Sequence, residues 1–400
     1  MSFSIANTGL SAVTEQLNTI SNNIANSGTK GFKSGRAEFA SMYAQSQPLG
    51  VAMSGVSQSI SKDGSLEKTG IATDLAIAGS GFFVVKNSAG DTTYTRAGMF
   101  STDNNDKLIN SGGMKLQGYP TDAAGNLQTG IITDLEISST GLAAKASSQL
   151  EIMANLQAGA NPPAISPFNP TSQSSYNFSM TSNIYDSLGT PHSLNQYFIK
   201  QMTPGEWKVE YAVDNTMVPG ISHSLEFDQH GLLKTSTAKK HGATGTFSPA
   251  GAANLTIDID YSGTTQFNGE SIATRNKSDG YTAGRKNGEK IENDGSVYAT
   301  FSNGERKLQG KLVLANFANP NGLASQSGTT WSATSKSGSA LLGLPGSGLL
   351  GNIETGALES SNVDLTAELV GLMTAQRNYQ ANTKIISTND SMMNALFQVL

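Results

Sequence analysis

The chain has 400 residues, a net charge of −5 and a charged fraction of only 14%. Soluble domains usually contain about 25% charged residues, so the surfaces of this protein are polar but weakly charged. No basic run suits nucleic acid, and no apolar run is long enough to insert into a membrane. The absence of cysteine excludes disulfides and thiolate metal sites, while the length allows two or three domains.

The first 25 residues carry an apolar repeat with a period of seven. Its main row and its interleaved row are Phe3, Leu10, Leu17 and Ile24, with Ala6, Val13 and Ile20 between them. This 3/4 spacing over three heptads predicts an α-helix with a coiled-coil seam. The helix should end at Asn26-Ser27-Gly28, where small polar residues give a stop signal.

Short alternating runs follow a polar stretch and predict strands. Residues 33–70 are rich in Ser and Gln, which indicates an extended connector with little core of its own. The clearest period-two run is Trp207, Val209, Tyr211 and Val213, and such alternation marks a strand with one buried face. Trp207 and Tyr211 could alternatively line a carbohydrate site, which would suit a secreted β-rich adhesin.

The last 40 residues carry a second, longer heptad row. Its members are Leu365, Leu372, Tyr379, Ile386, Met393 and Leu400. Leu369 and Phe397 begin and end a second row that polar residues interrupt, at Gln376, Thr383 and Asp390. We expect a helix that starts near Ser361, because Ser361 and Asp364 have the spacing of a capping box. Polar seam positions of this kind select register or a particular neighbour.

No constellation predicts catalysis, a cofactor or a metal. None of the four histidines, His192, His223, His230 and His241, forms a pair with metal-ligand spacing on a helix. The acidic run from Asp103 to Asp106 lacks the later bidentate Glu of a calcium loop and predicts a hairpin turn. The GxGxxG match at Gly346, Gly348 and Gly351 follows no strong strand, so a linker explains it better. We therefore expect neither an enzyme nor a cofactor-binding protein.

Four segments are predicted from these patterns. Residues 1–32 and 361–400 form a terminal helical assembly domain, and residues 33–70 form the connector. Residues 71–145 together with 285–360 form one β domain, and residues 146–284 form an inserted β domain.

Three separated blocks resemble the bacterial flagellar rod and hook family. The N-terminal block holds an Asn-Asn-Ile-Ala-Asn run and a Gly-Phe-Lys, supplied by Asn22, Asn23, Ile24, Ala25, Asn26, Gly31, Phe32 and Lys33. The C-terminal block runs from Ser361 to Ala381 and includes Gln376, Arg377 and Tyr379. The middle block comprises residues 74–83, 94–100 and 118–119. One departure is Asp106-Lys107, where the family has a Gly in the turn.

The resemblance implies a mainly β, multi-domain fold whose terminal helices pair as a coiled coil in the assembly. It implies a structural subunit of a helical homopolymer in the flagellum, and the large insertion favours a hook-type member, which forms a curved universal joint. A distal rod-type member is the nearest alternative. The expected partners are copies of the chain itself, rod, cap and junction proteins, and the type III export apparatus. Export without a cleaved signal agrees with the lack of a secretory signal peptide, since no apolar run follows Met1.

The subunit-packing residues expected from the two heptad rows come from both ends. They are Phe3, Leu10, Val13, Leu17, Ile20, Ile24, Leu365, Leu369, Leu372, Tyr379, Ile386, Met393, Phe397 and Leu400. Because a short helix cannot bury such a stripe alone, we expect both ends to be largely disordered in the free chain and to order on assembly.

Overall fold

A computed structural model describes the backbone of residues 2–44, 47–122, 125–242 and 247–399. It describes the side chains of residues 4–43, 49–122, 125–242 and 247–395. Across these residues the chain is mainly β, with one long helix near each end. The predicted fold class, a multi-domain β protein with terminal helices, is confirmed.

The described part of the first 140 residues forms one helix and ten strands. They are α1 (Ser2–Ala25), β1 (Gly35–Ala44), β2 (Gln47–Gln58), β3 (Leu66–Lys68), β4 (Leu75–Ala78), β5 (Phe82–Lys86), β6 (Thr92–Thr95), β7 (Phe100–Thr102), β8 (Leu108–Asn110), β9 (Lys115–Pro120) and β10 (Thr133–Asp134).

The rest of the described chain forms seventeen strands and the second helix. They are β11 (Gln149–Asn155), β12 (Phe178–Tyr185), β13 (Pro191–Lys200), β14 (Glu206–Val213), β15 (Thr216–Glu226), β16 (Lys239–Lys240), β17 (Asp258–Asp260), β18 (Ile272–Ser278), β19 (Lys286–Ile291), β20 (Ser296–Phe301), β21 (Arg306–Leu312), β22 (Leu314–Asn316), β23 (Ala324–Gln326), β24 (Thr330–Ser332), β25 (Leu341–Gly343), β26 (Asn352–Thr355), β27 (Ala357–Glu359) and α2 (Leu365–Val399).

The chain divides into two compact units. The first unit comprises residues 1–139, 288–299 and 306–400, and the second comprises residues 140–287 and 300–305. The second unit is therefore an insertion in the first. The finer division into four segments that the sequence suggests remains a prediction.

The second unit is built from two four-stranded sheets. One has the strand order β16-β17-β11-β18 and the other is the meander β12-β13-β14-β15. Trp207 and Tyr211 of β14 are both 0% exposed in its core, as the period-two pattern predicts. The alternative prediction of a carbohydrate site lined by these two side chains is therefore wrong, because neither ring reaches the surface.

The β core of the first unit lies on a sheet whose main path is β19-β20-β21-β9-β5-β6-β24-β23. Phe82, Tyr94 and Phe317 meet edge to face, with ring centroids 5.9 Å apart for Phe82–Phe317 and 4.8 Å apart for Tyr94–Phe317. Ile60 and Trp331 are buried in the same cluster. Since Ile60 follows β2 closely, this core anchors the chain segment that leads away from α1.

Strands β1 (Gly35–Ala44) and β2 (Gln47–Gln58) pair as a long antiparallel hairpin, which the expectation of an extended connector did not include. β1 and β2 pair from Gly35 opposite Gln58 to Ala44 opposite Gln47, with irregularities after Glu38 and Met42. The four side chains at residues 40–43 are all exposed. The hairpin is thus defined by backbone pairing rather than by burial of one face. For this reason its sequence has no period-two apolar pattern from which the strands could be predicted.

One glycine lets the hairpin approach α1. Gly50 in β2 has φ +116°, and a Cβ atom added there would lie 2.0 Å from the Thr8 hydroxyl. A side chain at this position would both strain the backbone and separate β2 from α1.

The start of α2 lies four residues beyond the predicted Ser361. Asp364 caps the helix, because its Oδ1 accepts hydrogen bonds from the backbone N–H groups of Thr366 (3.0 Å) and Ala367 (3.1 Å). An aspartate is a strong N-cap, so it sets the helix boundary. The expected capping box at Ser361 and Asp364 is therefore wrong.

Candidate assembly core

The two terminal helices pack against each other in antiparallel orientation. Asn23 of α1 contacts Glu368 of α2. Fourteen residues earlier in α1, the Cβ position of Gly9 lies 3.1 Å from the side chain of Asn382, which is fourteen residues later in α2. The register between the helices is therefore constant along the pair.

The apolar core of this pair is small. Val13, Ile20 and Ala375 are buried, and the half-buried Leu17, Ile24 and Leu372 pack against them. Ile20 Cδ1 lies only 3.5 Å from the Cβ position of Gly371. Small residues on α2 let the helix axes come close, but they bury little apolar surface.

Of the predicted packing residues of α1, Val13, Leu17, Ile20 and Ile24 belong to this seam. Val13 and Ile20 are buried, and Leu10, Leu17 and Ile24 are half-buried. The side chain of Phe3 lies outside the described residues.

Of the described packing residues predicted for α2, Leu372 belongs to the seam with α1. Leu372 and Ile386 are half-buried, whereas the exposed fractions are 46% for Leu365, 46% for Leu369, 39% for Tyr379 and 50% for Met393. The side chain of Phe397 and all of Leu400 lie outside the described residues. Exposure within one chain does not test a role in packing between subunits, so that role stays a prediction.

The stripe of α2 that meets α1 is offset from the predicted second row. The predicted positions Gln376 and Thr383 are exposed, while the preceding residues Ala375 and Asn382 contact α1. The physical reason is that the closest helix contact forms along small residues, whereas the sequence pattern follows the largest apolar ones. Gln376 and Arg377 of the family motif lie on the exposed side of α2.

Asn23 of the N-terminal motif joins three elements. Its side chain is 1% exposed. Its Nδ2 donates to Glu368 Oε1 (2.9 Å) and to the carbonyl of Gly35 (2.7 Å), while its Oδ1 accepts from the N–H of Gly35 (2.8 Å). The amide therefore connects the end of α1, the start of β1 and the first turns of α2.

The other two motif asparagines close the C-terminal end of α1. Asn26 Nδ2 donates to the carbonyl of Asn22 (2.9 Å) and to its Oδ1 (3.0 Å), and Asn26 Oδ1 accepts from the Thr29 hydroxyl (3.1 Å). These side chains satisfy backbone groups that a helix end leaves free.

Gly31 and Phe32 bring the N-terminal segment against the residues before α2. The N–H of Gly31 donates to the carbonyl of Glu359 (2.8 Å), and the Phe32 carbonyl accepts from the N–H of Asn362 (3.4 Å). Gly31 has φ +69°, and a Cβ atom there would lie 2.5 Å from the backbone nitrogen of Ala97. Only glycine fits this conformation and this close approach.

A buried charge cluster lies where these segments meet. Lys33 Nζ lies 2.7 Å from Glu359 Oε1, and Arg96 Nη1 lies 3.1 Å from Glu359 Oε2. The partly exposed Asp63 lies 3.8 Å from Lys33 and 3.5 Å from Arg96. Burial lowers the pKa of Lys33 in spite of the neighbouring Glu359 carboxylate. Two cations and two carboxylates thus hold the segment that follows α1 and the segment that precedes α2 to the β core.

Asn362 completes this junction. Its Oδ1 accepts from the N–H of Ser34 (2.7 Å), and its Nδ2 donates to the carbonyls of Ser59 (2.9 Å) and Lys62 (2.8 Å). Lys33 Nζ donates to the same Lys62 carbonyl (2.7 Å). One amide side chain therefore ties the start of the hairpin to its end.

Sequence reasoning found part of this junction and missed its pairing. Lys33 and Arg96 stand in the quoted family blocks, but no role was predicted for either. Glu359 and Asp63 were not singled out, and Glu359 stands 326 residues from Lys33. The only signal available was the charge of residues inside motif blocks, which does not say what they pair with.

Apolar side chains remain exposed on α2. Leu369 is 46%, Met373 55%, Ile385 48% and Met392 64% exposed. Ile385 and Met392 line an open groove of about 510 Å³ along the second half of the helix. Leu369 and Met373 lie on one side of α2, and Ile385 and Met392 lie more than about 100° further round it. Single exposed apolar residues are ordinary, but two such pairs on one helix favour contacts with partners.

Within the described ranges, no group of three or more His, Asp or Glu side chains could hold a metal ion. In the same part of the chain, the helices are not long and apolar enough to cross a membrane.

Four family models match the chain in order. They are the flagella basal body rod protein (residues 3–33), the flagellar hook protein FlgE/F/G D1 domain (76–149), the flagellar basal body protein FlaE D2 domain (155–281) and the flagellar basal body rod FlgEFG protein C-terminal region (354–399). These matches and the terminal helix pair define an axial structural protein of the bacterial flagellum.

Curated relatives specify the member. The flagellar hook protein FlgE of Salmonella typhimurium (strain LT2) is 41% identical over 99% of both chains, and that of Escherichia coli (strain K12) is 39% identical over 99% of both. The crystal structure of Helicobacter pylori flagellar hook protein FlgE2 matches 74% of this chain and 100% of its own, with a TM-score of 0.56 and 14% identity, and so shows the fold alone. The chain belongs to the flagellar hook protein family, and it is a structural component of the flagellum rather than an enzyme.

Proposed function

We propose that this chain polymerises with copies of itself into the hook, with α1 and α2 packed against neighbouring copies near the axis of a tube. The observation that carries the proposal is the set of large apolar side chains that α2 leaves exposed while it uses small residues toward α1. Neighbouring copies would bury them, because removing apolar surface from water drives association.

The same imbalance supports ordering on assembly. In the described part of the chain, the buried apolar cluster of the helix pair is small and consists of Val13, Ile20 and Ala375, with Leu17, Ile24 and Leu372 half-buried against it. Isolated helices gain most of their stability from packing. We expect both ends to be largely disordered in the free chain, as in other segments that fold on binding, and the β units to be folded before assembly.

The tube would act as a curved, flexible joint that transmits torque from rod to filament. The low charge content supports bending, since few ion pairs between copies would have to break when neighbouring subunits shift. A curved tube distinguishes this function from that of a distal rod-type member, which would form a straight one.

Several partners follow from a place in the hook. We expect contacts with rod, hook-cap and hook–filament junction proteins at the ends of the polymer. We also expect export through the flagellar type III apparatus without cleavage of a signal peptide, and a final location in the hook outside the cell.

Seeded polymerisation of the purified full-length chain tests the packing role. Leu369→Asp places a charge on the exposed apolar stripe of α2 and should reduce tube formation at least about tenfold, the loss expected when a charge must be desolvated. Met202→Asp is the matched control, because Met202 is also an exposed apolar side chain (88%) but belongs to the second unit rather than to α2. Tube mass is measured by sedimentation and tube shape by electron microscopy.

Normal tubes from Leu369→Asp would contradict the packing role of this stripe. Substitution of Leu17 or Leu372 with Asp should also block polymerisation while the β units stay folded. Circular dichroism of the free chain tests the ordering step separately: full helix content before assembly would contradict it without affecting the packing role.

A further inference from the structure

The apolar seam between α1 and α2 does not by itself select one register. Val13 lies beside Asn378 in the groove between the helices. A slide of α2 by one heptad, which moves Ala375 to the place of Glu368, would bring Ile385 beside Val13 but Asn378 to the place of Gly371 beside Ile20. One apolar contact would be gained and another lost, so the apolar side chains discriminate only weakly between the two registers. Heptad seams made of small and aliphatic residues slide in this way unless a polar contact fixes them.

We propose that the hydrogen bond between Asn23 and Glu368 fixes the register of the two helices in the assembled tube. We call this pair of residues the register peg. Asn23 is buried, and its amide uses both donor hydrogens and its oxygen: toward Glu368 Oε1 at 2.9 Å and toward the backbone of Gly35 at 2.7 and 2.8 Å. Among the described α2 residues that contact α1, which include Gly371, Ala375 and Asn382, Glu368 carries the carboxylate.

A slide of one heptad would break this contact. Moving α2 by seven residues brings Ala375, whose methyl group accepts no hydrogen bond, to the place of Glu368. The Asn23 amide would then lose a buried, charge-assisted hydrogen bond. A loss of that kind disfavours the shifted pairing by about tenfold or more.

The peg also sets the direction of the hairpin. Gly35 is the first residue of β1, and both of its backbone hydrogen-bonding groups contact Asn23. The side chain that selects the helix register therefore also fixes where the hairpin leaves α1. Each added copy would present its helices and its hairpin in one relative position, which a regular polymer requires.

The inference rests on the proposal that α1 and α2 order on assembly. Its test uses seeded tube growth of the full-length chain. Asn23→Asp keeps the size of the side chain but turns carboxylate oxygens toward the Gly35 carbonyl and Glu368, and we expect tube mass to fall at least about tenfold.

The second variant tests the contact itself. Adding Glu368→Gln to Asn23→Asp supplies an amide donor to the new carboxylate and removes its repulsion with Glu368. Part of the tube mass should therefore return, although the Gly35 carbonyl still lacks its donor. The control is Asn26→Asp, which changes a motif amide that bonds to Asn22 and Thr29, and which Glu368→Gln should leave unchanged. Failure of the rescue, or an equal rescue of Asn26→Asp, would overturn the peg.

A disulfide reports the register directly, because the chain has no cysteine. With Gly9→Cys and Asn382→Cys, oxidised tubes should contain the bond within single chains, whereas Gln16→Cys with Asn382→Cys, one heptad away, should not. Bonds formed only between copies would overturn the peg but keep the packing proposal. No trapping of either kind would count against both.

Discussion

The terminal helices and the second unit of this chain bury apolar surface on very different scales. Among the described residues, the core of the second unit contains seventeen buried apolar side chains, including Phe198, Trp207 and Tyr261, whereas three define the seam between α1 and α2. A core of the first size can offset the conformational entropy of its own chain, and a seam of the second size cannot. From this difference we expect the second unit to fold by itself and the terminal helices to gain their order with neighbouring copies.

Substitution of Glu359 should give the largest loss of stability. Glu359 lies where the segments next to the terminal helices meet the β core of the first unit. Glu359→Ala would leave the buried Lys33 and Arg96 cations without their shared carboxylate. Breaking a buried ion pair on one side costs about 3–5 kcal/mol, and denaturant unfolding of the free chain measures it. The control is Glu67→Ala, which removes an exposed carboxylate paired with Lys30 and should leave unfolding unchanged.

The result for Glu359→Ala shows whether the junction around Lys33 is ordered with the β core or with the terminal helices. A large loss in the free chain would show that its order extends from the β core to Lys33. An unchanged free chain whose tubes are destabilised would place this junction with the helices, among the parts that order on assembly.

The next largest effect is expected from an Ile→Ala substitution, made once in the core of the second unit and once in the seam between α1 and α2. Ile259→Ala in the core of the second unit, where Ile259 is 1% exposed, should lower the free energy of unfolding by about 2–5 kcal/mol. Ile20→Ala in the helix seam should leave the free chain unchanged and weaken only the tubes. Fluorescence of the buried Trp207 reports the first change, and sedimentation of tubes reports the second. Equal losses in the free chain would remove the distinction between the regions.

The smallest effect is a pH dependence confined to the second unit. Burial lowers the pKa of His223, whose Nε2 lies 2.7 Å from the carbonyl oxygen of Thr237 and whose ring stacks on Tyr261. The unfolded chain then binds a proton more readily than the folded one. The stabilising contribution is complete above the unfolded pKa of about 6.5 and is lost as the pH falls through the lower folded value.

This pH effect is measured by difference. Between pH 7.5 and 5, about one unit above and about 1.5 units below the unfolded pKa, the wild type should lose more unfolding free energy than His223→Gln. An equal loss in both would show that other groups, such as the carboxylates of the second unit, account for the whole pH dependence.

Much of the fold followed from local pattern. The α1 helix was expected from Phe3 to Ala25 and runs from Ser2 to Ala25, because a 3/4 apolar spacing over three turns has few other interpretations. The strand with Trp207 and Tyr211 was expected for the same reason with a period of two. The hairpin at 35–58 was not expected, since both of its faces carry exposed residues and its backbone pairing leaves no trace in the sequence.

In the assembly core, too, part of the arrangement could be predicted from the sequence and part could not. The motif asparagines were recognised as a group, yet only the fold separates Asn23, which joins α1, β1 and α2, from Asn22 and Asn26, which close one helix end. The sequence could not show that α2 turns Ala375 rather than Gln376 toward α1.

The sequence by itself determined the terminal helices, the β-rich middle and membership of the flagellar axial proteins, because periodicity and motif order are properties of neighbours along the chain. The tertiary structure alone decided which face of α2 meets α1, that Lys33 and Arg96 share Glu359, and that Asn23 reaches Glu368. These contacts join residues up to 345 positions apart. Close packing and the cost of burying unpaired charges select such pairs, and neither quantity can be read from the order of residues.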